Sequence, residues 1–397
     1  MNKPPQDWCI YEEALATLAR EAGSRDVASL ILRLRKLFPQ ALPTELNLAV
    51  ETYIARHEAQ EKLGPWAREG FFSNALLQQA SRVAIARARA EHLRGSRHVL
   101  EIGTGTGSDT AALAEVCGHV TSIDGDPIAS ELARRNLELQ GIKNVTLVVG
   151  SAQEILPTLP REFDALFADP ARRTQTGFRV KDGDDYSPPL SWILGLDIGS
   201  KRSIKISPGL FVDPCPEGWV RQFVGYEDEC LEQTLWYGTK VKDSSIILAD
   251  CGVEWAADPA TSPCDVKEIG AYLVEAHATL NRCQYLDHFF ASQGLSRFEP
   301  DVAYGTSDTL PPPSPLFTRY KVCEHIPFSL KKLKTAVTAR GWSSRTELKK
   351  RSFSGDIEKI RRDLDLPKHT HEATFGVLFF FTYQGKPWCL LAERVYE

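Results

Sequence analysis

The feature that most constrains the fold is a glycine turn between two short apolar runs, within residues 98–126. The order is apolar run, three glycines, helical stretch, second apolar run and acidic residue, which predicts one right-handed βαβ unit with parallel strands. Glycines lack a Cβ, so the backbone can turn sharply and approach a ligand closely. In order, the segments are 99–102, Gly103 with Gly105 and Gly107, 110–117, 120–123 and Asp124.

This geometry predicts a binding site. The helix after the glycines directs free N–H groups and a partial positive charge toward whatever lies over the turn. Asp124, at the tip of the second strand, offers a carboxylate that can accept two hydrogen bonds from a ribose diol. The sequence therefore predicts a nucleoside-shaped pocket at the carboxyl end of a parallel sheet. The alternative is a turn without a ligand, which the joint occurrence of glycines and strand-end acid disfavours.

Two classes of cofactor fit such a pocket, and the glycine spacing separates them. Dinucleotide folds use G-x-G-x-x-G, whereas this chain has G-x-G-x-G preceded by Glu101. That pattern resembles motif I of the class I S-adenosylmethionine-dependent methyltransferases, and Asp124 resembles the acid of their motif II. The acid that often follows the third strand of this family is absent, so the adenine contact falls to residues 151–153. The resemblance implies S-adenosylmethionine as cofactor, bound by Glu101, Gly103, Gly105, Gly107, Asp109, Asp124, Gly125, Ser151 and Ala152.

The fourth predicted strand, 163–168, ends in the sequence DPARR, at the position of the family's motif IV. Amino methyltransferases of nucleic acids usually carry Asp/Asn-Pro-Pro-aromatic there, where the acid binds the acceptor amine and the ring stacks on the base. Asp169 and Pro170 match that pattern and are the predicted catalytic residues. Arg172 and Arg173 are predicted to hold a phosphate or stack on a base, and Tyr186 is the nearest aromatic that could stack. Alternatively, Asp169 only caps a turn and the arginines are solvated.

Composition restricts the class of protein. The chain has 397 residues, 43% of them hydrophobic and 25% charged, which is ordinary for a globular protein of two or three domains. A net charge of −5 does not exclude a local basic face for nucleic acid. No apolar run reaches transmembrane length, and the first residues lack a signal-peptide layout, so we expect no membrane partner and a cytoplasmic protein. The nine cysteines never occur as C-x-x-C, and we expect no metal site.

The remaining pattern predicts three parts: a helical region at 1–95, a methyltransferase domain at 96–310 and a small domain at 315–397. Helices are predicted at 12–22, Val27–Leu37, 46–62 and after Ser73, with residues 79–81 lining a cofactor lid. Glu229–Tyr237 and 244–249 are predicted as the antiparallel last pair of a seven-stranded sheet. The acids at 227–232 are interpreted as a solvated strand edge, with a metal site as the alternative. A further helix is predicted at 271–293.

Beyond the proline-rich stretch near 310, the order of strands and helices is βαβαββ. With the motifs before it, this module resembles the THUMP-like domain that accompanies some class I methyltransferases. The implied fold class is α/β: a Rossmann-like seven-stranded methyltransferase sheet, a helical N-terminal region and a C-terminal THUMP-like module. THUMP domains are implicated in binding structured RNA, so the resemblance implies an RNA partner, tRNA or rRNA. Lys349, Lys350 and Arg351 lie in a basic stretch that is predicted to contact it.

The leading hypothesis is methylation of an RNA base. One rival is a protein that binds S-adenosylmethionine and RNA without catalysis, which the incomplete motif IV suggests. Another is a methyltransferase for protein or a small molecule. Covalent cysteine chemistry is disfavoured because motif IV has no cysteine, and Cys215 is the only candidate. The oligomeric state, the RNA species and the methylated atom do not follow from the sequence.

Overall fold

The computed structural model describes residues 5–20, 26–160, 162–172, 182–210, 215–258, 260–371 and 374–396. The chain forms two compact units, each with its own hydrophobic clusters. The first unit comprises Met1–Tyr226, Leu231–Asp243 and Ala249–Gly252. The second comprises Glu227–Cys230, Ser244–Leu248 and Val253–Glu397.

The first unit begins with helices, as the three- and four-residue apolar spacing predicts. Tyr11 is completely buried, and its hydroxyl lies 3.0 Å from the hydroxyl of Thr52. Thr52 in turn donates to the carbonyl of Phe72 at 2.6 Å, which ties the helices to the segment that follows them. The helices are α1 (Trp8–Arg20), α2 (Val27–Leu37), α3 (Pro43–Leu63), α4 (Asn74–Gln79) and α5 (Val83–Glu91).

The single helix predicted after Ser73 is two helices, because the backbone is extended at Ala80 and Arg82. Tertiary hydrogen bonds replace the helical ones at this break. The Ser81 hydroxyl donates to Asp109 at 2.7 Å, and the Ser81 carbonyl accepts from the Ser108 hydroxyl at 3.0 Å. Local spacing could not reveal a break that depends on partners 27 residues away.

Seven strands of the first unit lie side by side in the order β3-β2-β1-β4-β5-β7-β6. The first five pair in parallel, and β7 is antiparallel to β5. Helices cover both faces, so the central strands are continuous apolar runs. This confirms the predicted Rossmann-like fold. The strands are β1 (His98–Ile102), β2 (His119–Asp124), β3 (Val145–Val149), β4 (Ala165–Ala168), β5 (Lys201–Ile206), β6 (Trp219–Tyr226) and β7 (Glu229–Tyr237), and the helices α6 (Ser108–Val116), α7 (Pro127–Leu139), α8 (Ala152–Ile155) and α9 (Leu190–Leu194).

The predicted last pair of this sheet is wrong. The neighbour of β7 opposite β5 is β6, a strand that the sequence prediction missed. Residues 244–249 do contain a strand, β8 (Ser245–Leu248), which pairs in antiparallel fashion with β9 (Val253–Ala256). Several strands here have similar apolar patterns, and partner choice depends on contacts that local sequence does not specify.

The second unit contains a seven-stranded sheet in the order β11-β12-β10-β13-β16-β15-β14. Its last four strands and two helices follow the predicted order βαβαββ, which confirms the α/β module. β14 and β15 are parallel, whereas β13, β16 and β15 pair in antiparallel fashion. The elements are β10 (Tyr272–Ala276), α10 (Leu286–Ser292), β11 (Ser296–Arg297), β12 (Tyr304–Ser307), β13 (Phe317–Pro327), α11 (Leu330–Ala339), β14 (Glu347–Arg351), α12 (Ile357–Leu364), β15 (Val377–Tyr383) and β16 (Lys386–Arg394).

The helix predicted at 271–293 is also wrong, because its first part is β10. This strand pairs with β12 on one side and β13 on the other, and Leu273 and Val274 are fully buried. Two flanking strands satisfy the backbone of β10, which outweighs the helical spacing. The sheet of the second unit therefore includes strands that precede residue 315. The three-part division of the sequence stays a prediction.

Candidate functional site

The glycine turn after β1 has the conformation that requires glycine. The φ angles of Gly103, Gly105 and Gly107 are 95°, 55° and 82°, a region that other residues rarely adopt. A Cβ on Gly103 would lie 2.4 Å from the carbonyl oxygen of Asp169. The turn therefore contacts the end of β4 directly, and glycine at position 103 makes that contact possible.

Asp124, at the end of β2, is bonded to this turn. Its Oδ2 accepts from the backbone N–H of Gly105 at 2.9 Å, and its Oδ1 accepts from the N–H of Asp126 at 2.8 Å. Burial raises the pKa of Asp124, although these backbone hydrogen bonds oppose the shift. The carboxylate is thus held in one orientation beside the glycine turn.

A cavity of about 600 Å³ lies at the carboxyl ends of β1 to β4. Most of the predicted cofactor residues line it, together with residues 79–81 at the junction of α4 and α5, whose role as a lid stays a prediction. Glu101, Gly107 and Tyr186 are not among its lining residues. The predicted site residues that line the cavity are Gly103, Gly105, Asp109, Asp124, Gly125, Ser151, Ala152, Asp169, Pro170 and Arg172.

Glu101 lies beneath the turn instead of in the cavity. It is completely buried, and its Oε2 accepts from the Thr110 hydroxyl at 2.6 Å. Burial raises its pKa to about 8. The side chain is therefore a neutral acid at pH 7 that supports the turn from below, which differs from the predicted cofactor contact.

Glu101→Gln is expected to remove a pH dependence of stability. Between about pH 4.5 and 8 the folded protein keeps a proton on Glu101 that the unfolded chain releases. The stability from this group is thus full below pH 4.5 and lost as pH rises toward 8. The variant should gain stability relative to wild type from pH 5 to pH 8 in denaturant unfolding. Glu115→Gln, an exposed change on α6, is the control, and its free energy of unfolding should vary with pH in parallel with that of wild type. A curve for Glu101→Gln that is also parallel to wild type would contradict the prediction.

A cluster of buried charges lies beside the cavity, and the sequence prediction missed it. Arg89 binds Asp109 and Glu232, with a shortest distance of 2.6 Å to Glu232. Lys205 binds Asp169 at 2.8 Å and lies 3.9 Å from Glu232. Glu232 is 3% exposed, so it is not part of a solvated strand edge. One feature of the sequence could have indicated this cluster: Lys205 lies between two isoleucines in a buried strand.

Asp169 follows β4 and faces the cavity. Burial alone would raise its pKa, but the charges of Lys205, Arg172 and Arg89 overcome this and lower it. The next residues form an isolated bridge from Ala171 to Ser187, and Arg172 lines the cavity. An ionised carboxylate with a neighbouring cation is therefore available at this strand end. Arg173 lies outside the described residues.

Tyr186 does not offer a stacking surface. Its ring is 3% exposed and packs in a core cluster with Leu190 and Ile206. Its hydroxyl accepts from the Ser207 N–H at 3.3 Å. The aromatic partner suggested by the sequence is thus a core residue, because the proline-rich segment after it folds back onto the sheet.

The predicted RNA-contacting residues lie on β14 in the second unit. Lys349 is partly buried and binds Glu275 and the Tyr320 hydroxyl, the latter at 3.1 Å. Lys350 and Arg351 are exposed. Two of the three residues are therefore accessible to a phosphate, whereas Lys349 already has an acidic partner.

Comparison with known proteins shows what the chain is similar to. The description "Methyltransferase domain" fits residues 99–174, and "THUMP domain-like" fits residues 317–394. An uncharacterised S-adenosylmethionine-dependent methyltransferase of Mycobacterium tuberculosis is 28% identical over 330 residues, covering 80% of this chain and 88% of the relative. The chain is an S-adenosylmethionine-dependent methyltransferase. It carries a THUMP-like domain at its C-terminus.

Two further proteins resemble this chain, one over part of its length and one over nearly all of it. A protein-L-isoaspartate O-methyltransferase of Ignicoccus hospitalis is 34% identical over 131 residues, which cover 28% of this chain and 62% of the relative. A crystal structure of a candidate methyltransferase from Porphyromonas gingivalis W83 has a TM-score of 0.74 at 20% identity. It covers 95% of this chain and 100% of its own, and this likeness shows the fold.

The cofactor of the methyltransferase is S-adenosylmethionine, and the cavity fits this molecule. The glycine turn leaves a surface without Cβ atoms at Gly105, where nothing lies within 4 Å. Asp124 presents a carboxylate at the end of the neighbouring strand, as a ribose diol requires. We propose that the turn contacts the methionine part of the cofactor and that Asp124 binds the ribose hydroxyls.

Asp124→Ala is expected to weaken S-adenosylmethionine binding at least tenfold, about 1.4 kcal/mol. The substitution removes both the proposed ribose contact and the hydrogen bond that positions the Gly105 N–H. Calorimetric titration measures the change. Asp164→Ala is the matched control, since Asp164 also accepts two backbone N–H bonds but lies at the amino end of β4. Equal affinities for the two variants would contradict the assignment.

Proposed function

We propose that this methyltransferase methylates a base of structured RNA, tRNA or rRNA, at an amino nitrogen. The observation that carries the proposal is the THUMP-like match at 317–394 in the same chain as the methyltransferase domain. THUMP domains are implicated in RNA binding, so the likeness supports an RNA acceptor. Asp169 at the end of β4 supports an amino acceptor, because its carboxylate can accept an N–H hydrogen bond.

The surface of the second unit supports the same partner. Helices α11 and α12 bury apolar side chains, including Leu333, Val337, Ile360 and Leu364, in one cluster with β15 and β16. Their exposed positions include six cations, which suits contact with phosphates, together with the acids Glu358 and Asp363 on α12. The exposed cations of these helices, here called the basic surface, are Lys331, Lys332, Lys334, Lys359, Arg361 and Arg362.

Methyl transfer requires little covalent chemistry from the residues of the protein. When bound, S-adenosylmethionine supplies a methyl group that its sulfonium already activates. The chain then has to align the acceptor and exclude water. Asp169 would accept a hydrogen bond from the acceptor N–H and orient the nitrogen lone pair. Residues 79–81 would cover the cofactor, and Arg172 would hold a phosphate or stack on the base.

A second candidate is a methyltransferase for protein, which the Ignicoccus hospitalis relative favours over a short stretch. Truncation before residue 315 is a poor way to distinguish the two. Such a cut would remove β13 and expose the edge of β10, since these strands pair over five residues. Charge reversal on the basic surface tests the RNA hypothesis without opening the sheet.

The decisive experiment is transfer of labelled methyl groups to RNA purified from cells that lack the enzyme. We expect incorporation into one RNA class and identification of the methylated base by nucleoside mass spectrometry. The triple variant Lys331→Glu, Lys332→Glu and Lys334→Glu should weaken RNA binding and lower the slope of log affinity against log salt by about one for each lost contact. Methylation of protein fractions with none of RNA would refute the proposal.

A matched control variant carries the same change in charge elsewhere. Arg35, Lys36 and Lys143 are exposed cations of the first unit, and replacing all three by glutamate alters net charge equally. We expect this control to retain near wild-type RNA affinity. Equal losses for both triple variants would indicate a general charge effect and not an RNA-binding surface.

A further inference from the structure

The buried charge cluster connects α5, α6, β5 and β7 to Asp169, which lines the cavity. Lys205 is 3% exposed, and its ammonium donates to Asp169 Oδ2 at 2.8 Å and to the Ser81 hydroxyl at 3.0 Å. The register of β4 and β5 pairs Ala168 with Ile204, so residues 169 and 205 come next in adjacent parallel strands. Lys205 therefore reaches Asp169 from the neighbouring strand.

Burying this cluster costs desolvation free energy, and its charges do not cancel. Its two cations and three carboxylates leave a formal charge of −1. Buried ion pairs are often no more stable than well-packed apolar residues, so they are weak evidence for a purely structural role. Perturbed charges beside a cavity point to a functional role. The cluster members are Arg89, Lys205, Asp109, Asp169 and Glu232.

The hydrogen bonds of Asp169 are asymmetric. Lys205 engages Oδ2, and among the described residues no donor engages Oδ1. The backbone of Asp169 is also fixed, because its N–H donates to the carbonyl of Ile102 at 2.8 Å. Within the described part of the chain, one carboxylate oxygen is thus held by Lys205, while the other is open to a molecule in the cavity.

We propose that Lys205 is a positioning residue that keeps Asp169 ionised and turns its Oδ1 toward the N–H of the acceptor nitrogen. This rests on the proposed function for its acceptor, an amino nitrogen, and adds the residue that positions the carboxylate beside that nitrogen. The nitrogen lone pair forms the new N–C bond as the methyl C–S bond breaks, and the C–S electron pair leaves on the neutral sulfur of S-adenosylhomocysteine. The methylated nitrogen then releases one proton to Asp169 or to water.

The groups that face Asp169 come from several elements. Lys205 on β5, Arg172 after β4 and Arg89 on α5 all favour its ionised form. Tyr186, with its own pKa raised mainly by burial, also lies close enough to interact. Arg89 forms its ion pairs with Asp109 and Glu232, so among the described residues Lys205 is the cation that bonds the Asp169 carboxylate directly.

The first test measures the ionisation of Asp169 and is carried out in the absence of RNA. Infrared difference spectra between wild type and Asp169→Asn, recorded across pH, isolate the carboxylate band of this residue. As pH falls, the carboxylate band disappears when Asp169 takes up a proton. We expect this to occur at a higher pH in Lys205→Met than in wild type. Lys201→Met, the same change on the same strand, should leave the pH of this transition unchanged. Among the described residues, Lys201 donates to the carbonyl of Arg94, at 3.1 Å. An unchanged titration in Lys205→Met would overturn the proposal.

The second test reads activity. Lys205→Met should lower kcat about 100-fold at pH 6 with KM for RNA within threefold, as expected for a misplaced group that acts at the reacting atom. As pH rises and Asp169 ionises, Lys205→Met should recover part of its kcat. In the Asp169→Asn background, adding Lys205→Met should not lower kcat further. A loss that is equal at every pH would show a structural role only and overturn the proposal.

If Lys205→Met does not fold, Lys205→Arg replaces it. That variant keeps the cation, so the carboxylate should titrate at the wild-type pH, and a titration at higher pH would overturn the proposal. The infrared test needs no substrate. An enzyme that methylates no RNA but shows the expected shift in Lys205→Met would refute the RNA function while leaving the role of Lys205 in fixing Asp169 intact.

Discussion

Replacing Arg89 with methionine is expected to lower the free energy of unfolding by about 3–5 kcal/mol. The guanidinium is 4% exposed and bonds two carboxylates, with Glu232 accepting at 2.6 and 2.7 Å. Its removal leaves Glu232 and Asp109 buried with their direct cation gone. The cost comes from these uncompensated charges more than from the lost attraction itself.

Arg87→Met is the matched control for that experiment. Arg87 lies two residues earlier in the same helix and forms an ion pair with Glu115 at 2.9 Å, but both side chains are largely exposed. Solvent screens such a pair, so its loss should cost no more than about 1 kcal/mol. Denaturant unfolding at pH 7 measures both variants. Equal losses would show that burial of the Arg89 cluster does not govern its energetics.

Gly103→Ala is expected to destabilise the methyltransferase by about 2–5 kcal/mol. A methyl group there would meet the carbonyl oxygen of Asp169 at 2.4 Å, and backbone cannot move aside as a side chain can. Overpacking costs about 1–3 kcal/mol, and the positive φ of 95° adds about 1–2 kcal/mol. Because the clash separates β1 from β4, cofactor binding should fall with stability.

Gly105→Ala separates these two effects. Its φ is also positive, at 55°, but a Cβ would meet nothing within 4 Å. We expect a loss of only about 1–2 kcal/mol in stability, together with weaker S-adenosylmethionine binding because the methyl group would project into the cavity lining. Unfolding and calorimetric titration together decide the matter. If Gly105→Ala proves as unstable as Gly103→Ala, the contact with Asp169 is not the cause.

The core of the fold was predictable from local pattern. The order from β1 to Asp124 follows from apolar runs, three glycines and a strand-end acid, and each of these acts over a few residues. Val27–Leu37 and Glu229–Tyr237 agree with the predicted helix and strand residue for residue. The βαβαββ order of the C-terminal module was predictable for the same reason, since its strands and amphipathic helices alternate along the chain.

Errors arose where long-range contacts compete with local pattern. Residues 272–276 form a strand because β12 and β13 flank them, although their spacing also suits a helix. The helix after Ser73 is broken because Ser81 finds partners at Ser108 and Asp109. Tyr186 is predicted to stack on a base but is buried, since burial depends on how the following segment returns to the sheet.

By itself, the sequence determined the glycine turn, the acids at the ends of β2 and β4, and hence the place of the proposed cofactor pocket. Only the tertiary structure decided how the charges around that pocket are paired. Arg89 and Glu232 are 143 residues apart, and Lys205 and Asp169 are 36 apart. Their ionisation and orientation depend on burial and on distances between partners, which exist only once the strands and α5 are packed together.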